Sequence, residues 1–187
     1  GWDERTQMPS AGAEHRAEQS TVLAGLIHQR WVDPKFGEQL GELSEQLAGK
    51  PASDAAIVVR RLKRQYDKKV KLPRSLVEEL ARTAILGQQA WQEARAKDDF
   101  PSFRPLLEKT IALKRQQAEA LGYPQCPYDA LLDDYEPEAL TSDVGPVLEQ
   151  LREQLVPLVA DIAQSRRRPD TSVLSGDRKS TRLNSSH

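Results

Sequence analysis

Three histidines, one cysteine, a cluster of carboxylates and one basic run are the residues of this 187-residue chain whose types could do chemistry. Hydrolysis at a zinc ion asks for two histidines one helical turn apart. In H-E-x-x-H the glutamate between them can take a proton from the metal-bound water. The sequence contains no such motif. His15 and His28 stand thirteen residues apart, which on one continuous helix puts them on well-separated faces, and His187 lies in the terminal stretch. All three are read as ordinary side chains, and no metal ligand is assigned. Asp129, Asp133, Asp134, Glu136 and Glu138 could in principle face a hard cation, but the alternate-position ligands and central glycine of a calcium loop are missing. They are expected to be solvated or helix-terminal carboxylates, with Leu131 and Leu132 anchoring the segment. The run RRLKRQYDKKVK, residues 60 to 71, could grip phosphates. Leu62, Tyr66 and Val70 nevertheless give it an apolar side, and Pro73 follows instead of a leucine heptad, so it reads as the solvated face of a packed helix. Cys126 sits among prolines with no histidine near it in sequence, and no nucleophilic role is assigned.

The elements that must position these residues are helices. Ser10 can cap a helix running to about Trp31, with Leu23, Leu26, Ile27 and Trp31 at the spacings that put them on one face, and Asp33-Pro34 ends it. Phe36, Leu40, Leu43 and Leu47 make the stripe of a second helix that stops at Gly49-Lys50-Pro51, and the first two are expected to pack as a hairpin. Ser53 or Asp54 caps a third, carrying Ile57, Val58, Leu62, Tyr66 and Val70 up to the break at Pro73. A long fourth helix begins near Arg74. Its face Leu76, Leu80, Ala84, Gly87 and Trp91 contains small residues that suggest a close neighbour, and Asp98-Asp99-Phe100-Pro101 interrupts it. A fifth runs to Leu121, where Gly122 is the stop. One or two helical turns are expected in YDALLDDYEP. A last helix, capped by Thr141, Ser142 or Asp143, carries Leu148, Leu151, Leu155, Leu158 and Ile162 until SRRRPD. No segment alternates with a period of two, so the fold class is all-α.

Composition narrows the remaining possibilities. Charged residues make up 29% and nearly cancel to a formal net charge of -1, so no global field draws the chain to nucleic acid or to an anionic membrane. The first thirty residues have no secretory signal, nothing later has the length of a membrane span, and one cysteine suits a reducing compartment; the expectation is a soluble, cytoplasmic protein. Residues 1–166 read as one helical part and 167–187 as a disordered tail with almost nothing to bury. Within that tail, 177–187, DRKSTRLNSSH, resembles a read-through of a common sequencing adapter. With the missing initiator Met, this gives the expectation of a fragment open at both ends.

The opening WDERTQMPSAGAEHRAEQSTVLAGL resembles the start of the carboxypeptidase Taq family of thermostable metallocarboxypeptidases, with Trp2, Asp3, Thr6, Met8, Pro9, Gly12, Arg16 and Gln19 on the family pattern. The resemblance continues in order through YDKKVKLPRSLVEELA, AWQEARAKDDFPSFRPLLEKTIALKRQQAEALGY and PYDALLDDYEP, to about Ile162. Gln7 and Glu138 depart from the residues common in the family at those places and are read as tolerated variation. What the resemblance implies is a helical saddle with a deep groove, of which this chain supplies the N-terminal helices. It also implies a zinc ion, or another divalent metal, in the full-length protein, peptide substrates trimmed at their C-termini, and often a homodimer. The family's H-E-x-x-H, third glutamate ligand and carboxylate-binding residues lie beyond the matched segment. No catalytic, cofactor-binding or metal residue is therefore carried onto positions here, and the chain alone is expected to bind no metal and to be inactive. The competing expectations are a non-catalytic helical interaction module docking a partner protein and, resting on residues 60 to 71 alone, a nucleic-acid binder.

Overall fold

The computed structural model describes residues 7–167 and 171, all helix, turn or coil with no strand among them. The motif residues Trp2, Asp3 and Thr6, and all of the expected tail except Arg167 and Thr171, lie outside the described residues. A short 3-10 turn, Ser10–Gly12, leads into seven α-helices. These are α1 (Ala13–Trp31), α2 (Pro34–Gln46), α3 (Asp54–Lys69), α4 (Arg74–Lys97), α5 (Phe100–Leu121), α6 (Pro127–Leu132) and α7 (Thr141–Gln164). None of them is long and apolar enough to cross a membrane. The chain divides into two compact units, residues 1–141 and 142–187.

Local signals set most boundaries as expected. Asp33 accepts from the Lys35 amide at 3.0 Å and Pro34 opens α2. Ser53 accepts from the Ala56 amide at 3.3 Å to start α3. Asp98 turns left-handed at φ 53 and Asp99 accepts from Ser102 at 3.2 Å, so the chain leaves α4 and enters α5 within two residues. Gly122, at φ 78, ends α5 where a side chain would be strained. The first cap differs from expectation: Gly12 precedes α1 and no side-chain cap bond is made there, because the 3-10 turn closes first with the Gly12 amide donating to the Pro9 carbonyl at 2.9 Å.

Packing overturns the expected hairpin and several expected helix faces in the first unit. α1 and α2 do not form the expected hairpin. α1 lies chiefly along α4, α4 along α5, and α2 along α3. The buried residues of α1 are Ala13, Ala17, Gly25 and His28, whereas Leu23, Leu26 and Ile27 are half-exposed or more. α1 is apolar on one face and small on the opposite one, and the close approach to α4 selects the small face, where dispersion contacts are densest. At Gly25 an added Cβ would run into the ends of Glu78 and Arg74 of α4. Glu14 and Arg82 pair across the same seam at 2.7 Å. On α4 the buried residues are Leu76, Thr83 and Ala94, while Ala84 and Trp91 of the expected stripe are exposed. α3 likewise turns Val59 inward and leaves Ile57 and Val58 outside. A second cluster joins Ala118 and Leu121 of α5 to Ala130 of α6, with Leu72, Tyr123 and Leu131 packed around them, so Leu131 does anchor its segment.

The second unit contains the rest of α7. Its apolar stripe, Leu148, Leu151, Leu155, Leu158 and Ile162, is present at the expected spacing, yet α7 buries no residue at all.

Candidate functional site

The histidines occupy unrelated places. His15 is exposed on α1 and meets the Gln19 side chain at 3.0 Å. His28, at the other end of α1, is buried, and its imidazole pKa is lowered: burial disfavours the charged form, a hydrogen bond with the Leu72 backbone opposes this, and Lys69 and Arg74 reinforce it. His187 lies outside the described residues. Among the described residues no three His, Cys, Asp or Glu side chains come together in a way that could hold a metal ion. The donor set present does not fit a divalent cation, and no step of a metal-assisted reaction is derived from it.

What the fold does bring together are the two charged runs that the sequence treats separately. Arg64 and Lys68 stand one turn apart on α3 and both reach Asp133, just after α6. Arg64 pairs with one oxygen, Lys68 with the other at 2.8 Å, and Lys68 also holds Asp134 at 2.5 Å. The Glu138 amide donates to Asp133 at 3.0 Å, with Glu138 itself left-handed at φ 72. Burial works against ionisation of Asp133, but the bonds from Lys68 and the Glu138 amide, with the charges of Lys68 and Arg64, outweigh it and hold the carboxyl below its ordinary range. Burial also pulls on Lys68, and its two carboxylate partners more than offset that, holding the ammonium above its ordinary range.

Asp129 is helix-terminal, as expected, in the first turn of α6, but it is not solvated. It is 3% exposed. It accepts from the Thr141 hydroxyl at 2.5 Å, the Thr141 amide at 2.9 Å and the Cys126 amide at 3.1 Å. The Thr141 donors, against the cost of burial, keep it ionised well into the acid range. It thereby fixes the start of α6 and the residue that opens α7. Cys126 is a half-buried free thiol whose backbone serves this cap. Asp134, Glu136 and Glu138 remain on the surface, as expected.

Carboxylates held this firmly ionised are poor proton acceptors near neutral pH, so the junction is suited to holding segments in place and not to general base catalysis. Sequence reasoning missed it because the partners are 65 to 69 residues apart. The available signal was the complementarity of the two runs: cations spaced one helical turn, Arg64 and Lys68, and a pair of adjacent aspartates, Asp133 and Asp134.

Comparison with known proteins places this arrangement. The model of the carboxypeptidase Taq (M32) metallopeptidase family matches residues 1–185. The thermostable carboxypeptidase 1 of Thermus thermophilus is 40% identical over 183 residues, covering 92% of this chain and 36% of its own length. That of Pyrococcus furiosus is 37% identical over 173 residues, covering 90% and 34%. Among solved structures, the BsuCP crystal structure superposes with a TM-score of 0.83 at 32% identity, over 91% of this chain and 34% of that one. Trypanosoma cruzi metallocarboxypeptidase 1 gives 0.70 at 26% identity, over 94% and 34%. The chain thus spans about a third of the length of the curated relatives it matches. A family match along nearly every residue, with superposition on solved structures over nine-tenths of the chain, makes this chain a member of the carboxypeptidase Taq (M32) metallopeptidase family.

Proposed function

We propose that this chain is the N-terminal helical part of a zinc-dependent metallocarboxypeptidase that removes C-terminal amino acids from peptides in the cytoplasm, acting as a homodimer, and that the chain alone is inactive. The single observation carrying this is the family match along residues 1–185 by a chain that spans about a third of its relatives. A further observation supports it: α7 presents a long exposed apolar stripe among the described residues. Zinc, when bound in a full-length relative, supplies a Lewis acid and an activated water. The residues described here contribute helical framework and the ionic junction that fixes it.

The test compares two proteins. The 187-residue chain should show helical circular dichroism, retain no stoichiometric zinc and release no amino acid from peptides. A product extended in frame from the source locus into an H-E-x-x-H segment should release C-terminal residues and lose that activity to a chelator. Chelator-sensitive peptidase activity in the short chain overturns the reading of inactivity. An extended product without H-E-x-x-H overturns the enzyme assignment. The exposed α7 stripe gives one other reading a footing, that of an interaction module, and a source locus that encodes no further segment favours it.

A further inference from the structure

Within the first unit an open cleft of about 630 Å³ runs along one face of α3, a volume in the range of ligand-sized sites. Its lining changes character along the helix. Near the start of α3 it is apolar, made by Leu47, Pro51, Ala56 and Val59; further along it is cationic, with five Lys or Arg side chains against the carboxylates of Asp67 and Glu138. Two of the five, Arg64 and Lys68, are committed to Asp133 and Asp134. The other three are available in different degrees. Arg60 donates only to the Pro51 carbonyl, at 3.4 Å, and Lys71 to the Leu121 carbonyl, at 2.9 Å, so among the described residues neither meets a carboxylate. Lys63 holds Asp67 at 2.8 Å, but both side chains are about half exposed, and an ion pair of that kind is weak enough to exchange.

We propose that this cleft binds an acidic peptide segment, seating an apolar side chain against Leu47, Pro51 and Val59 and placing carboxylates on Arg60, Lys63 and Lys71. Charge complementarity selects the sign of the partner, and the apolar end selects a peptide over a nucleic acid. A phosphodiester backbone has no use for an apolar wall, whereas a mixed acidic and apolar peptide matches both ends. The inference stands on the cleft's own charge and shape and does not rest on the peptidase reading.

Fluorescence anisotropy of the full 187-residue chain tests it. The probe is a labelled peptide in which one leucine precedes alternating glutamate and alanine. Saturable binding that weakens with added salt is expected. Arg60→Glu should weaken it about tenfold. Arg61→Glu, the same charge change on a residue outside the cleft lining, should leave it unchanged. Replacing the probe's leucine by serine should weaken binding severalfold, and an oligothymidylate should not compete. Arg60→Gln, with its helical spectrum checked, serves should the charge reversal unfold the chain. Absence of saturable binding, equal losses in Arg60→Glu and Arg61→Glu, indifference to the leucine, or displacement by the oligothymidylate each overturns the proposal.

Discussion

α4 and α7 are both 24 residues long, and they have opposite fates. α4 lies between α1 and α5 and buries Leu76, Thr83 and Ala94. α7 has the more regular apolar stripe, Leu148 to Ile162, and buries nothing. Regular spacing therefore reports that a face wants a partner and says nothing about whether the chain supplies one. The most extensive helix contact in the first unit, α1 on α4, instead buries Ala13, Ala17 and Gly25 of α1, since small residues let two helix backbones approach. Substitutions in the α1–α4 seam and on α7 should respond accordingly. Ala17, which is fully buried in the α1–α4 seam, has no room to grow, so Ala17→Leu should cost about 1–3 kcal/mol of stability. Leu155→Ala on α7 should change unfolding by no more than about 0.5 kcal/mol, although it removes apolar surface. Urea denaturation of dilute protein measures both. A large loss at Leu155 would mean that α7 is covered in solution, and equal, small effects would dissolve the contrast altogether.

A finer version of the comparison fits on α2. Gly37 and Gly41 are one turn apart. A Cβ at Gly37 would fall 2.5 Å from the Tyr66 Cζ of α3, whereas one at Gly41 would meet open space. The Tyr66 ring packs edge-on against Phe36 at 6.0 Å, and Phe36 is itself edge-on to Trp31 at 5.7 Å, so moving Tyr66 aside gives up a ring contact. Gly37→Ala should destabilise by about 1–2 kcal/mol, the overpacking exceeding the helix-propensity gain. Gly41→Ala should stabilise by about 0.5–1 kcal/mol. Thermal melts of the two variants should move in opposite directions; movement of both upward would show that α2 and α3 separate easily.

These contrasts also mark what the sequence could disclose. Caps and breakers were legible because they act within a few residues: Asp33-Pro34, Ser53, Pro73, Asp99 and Gly122 each sit at a boundary the structure confirms. Faces were not. Leu23, Leu26 and Ile27 on α1, and Ile57 and Val58 on α3, have the right spacing for a core, but the neighbours that decide the matter, α4 and α2, are known only once the chain is folded. The α3 to α6 ionic junction was hidden for the same reason, since Arg64 and Asp133 are brought together only after α4 and α5 have returned the chain to α3.

That junction makes a prediction of its own. Asp133 has a folded-state pKa below its unfolded value, so its contribution is present above about pH 4 and is lost as pH falls through the lower folded value. Lys68 is shifted upward, so its contribution is present below about pH 10 and is lost as pH rises through the raised value. Asp133→Asn should lower the plateau between these limits by about 1 kcal/mol, intermediate between exposed and buried pairs, and flatten the acid limb. Denaturant midpoints across pH decide it. An unchanged acid limb would relegate the junction to a surface ion pair, no different from Lys63 and Asp67.

The smallest effect belongs to the seam's one buried histidine. His28 is held with a lowered pKa by burial, with Lys69 and Arg74 disfavouring the imidazolium, while the Leu72 backbone and Glu78 favour it. A histidine that binds its proton less readily folded than unfolded makes the unfolded state the better proton acceptor, so stability must fall as pH drops through about 6.5. This is the reverse of the histidine that gains an acidic partner on folding. The wild-type chain should therefore lose stability between about pH 8 and about pH 5, above the range in which carboxylates titrate. His28→Gln, neutral throughout and still able to hydrogen-bond, should lose less over that interval even if it begins less stable. Equal slopes in wild type and His28→Gln would show that the seam opens far enough to hydrate the imidazole, and with it that α1 rests on α4 more loosely than its buried alanines imply.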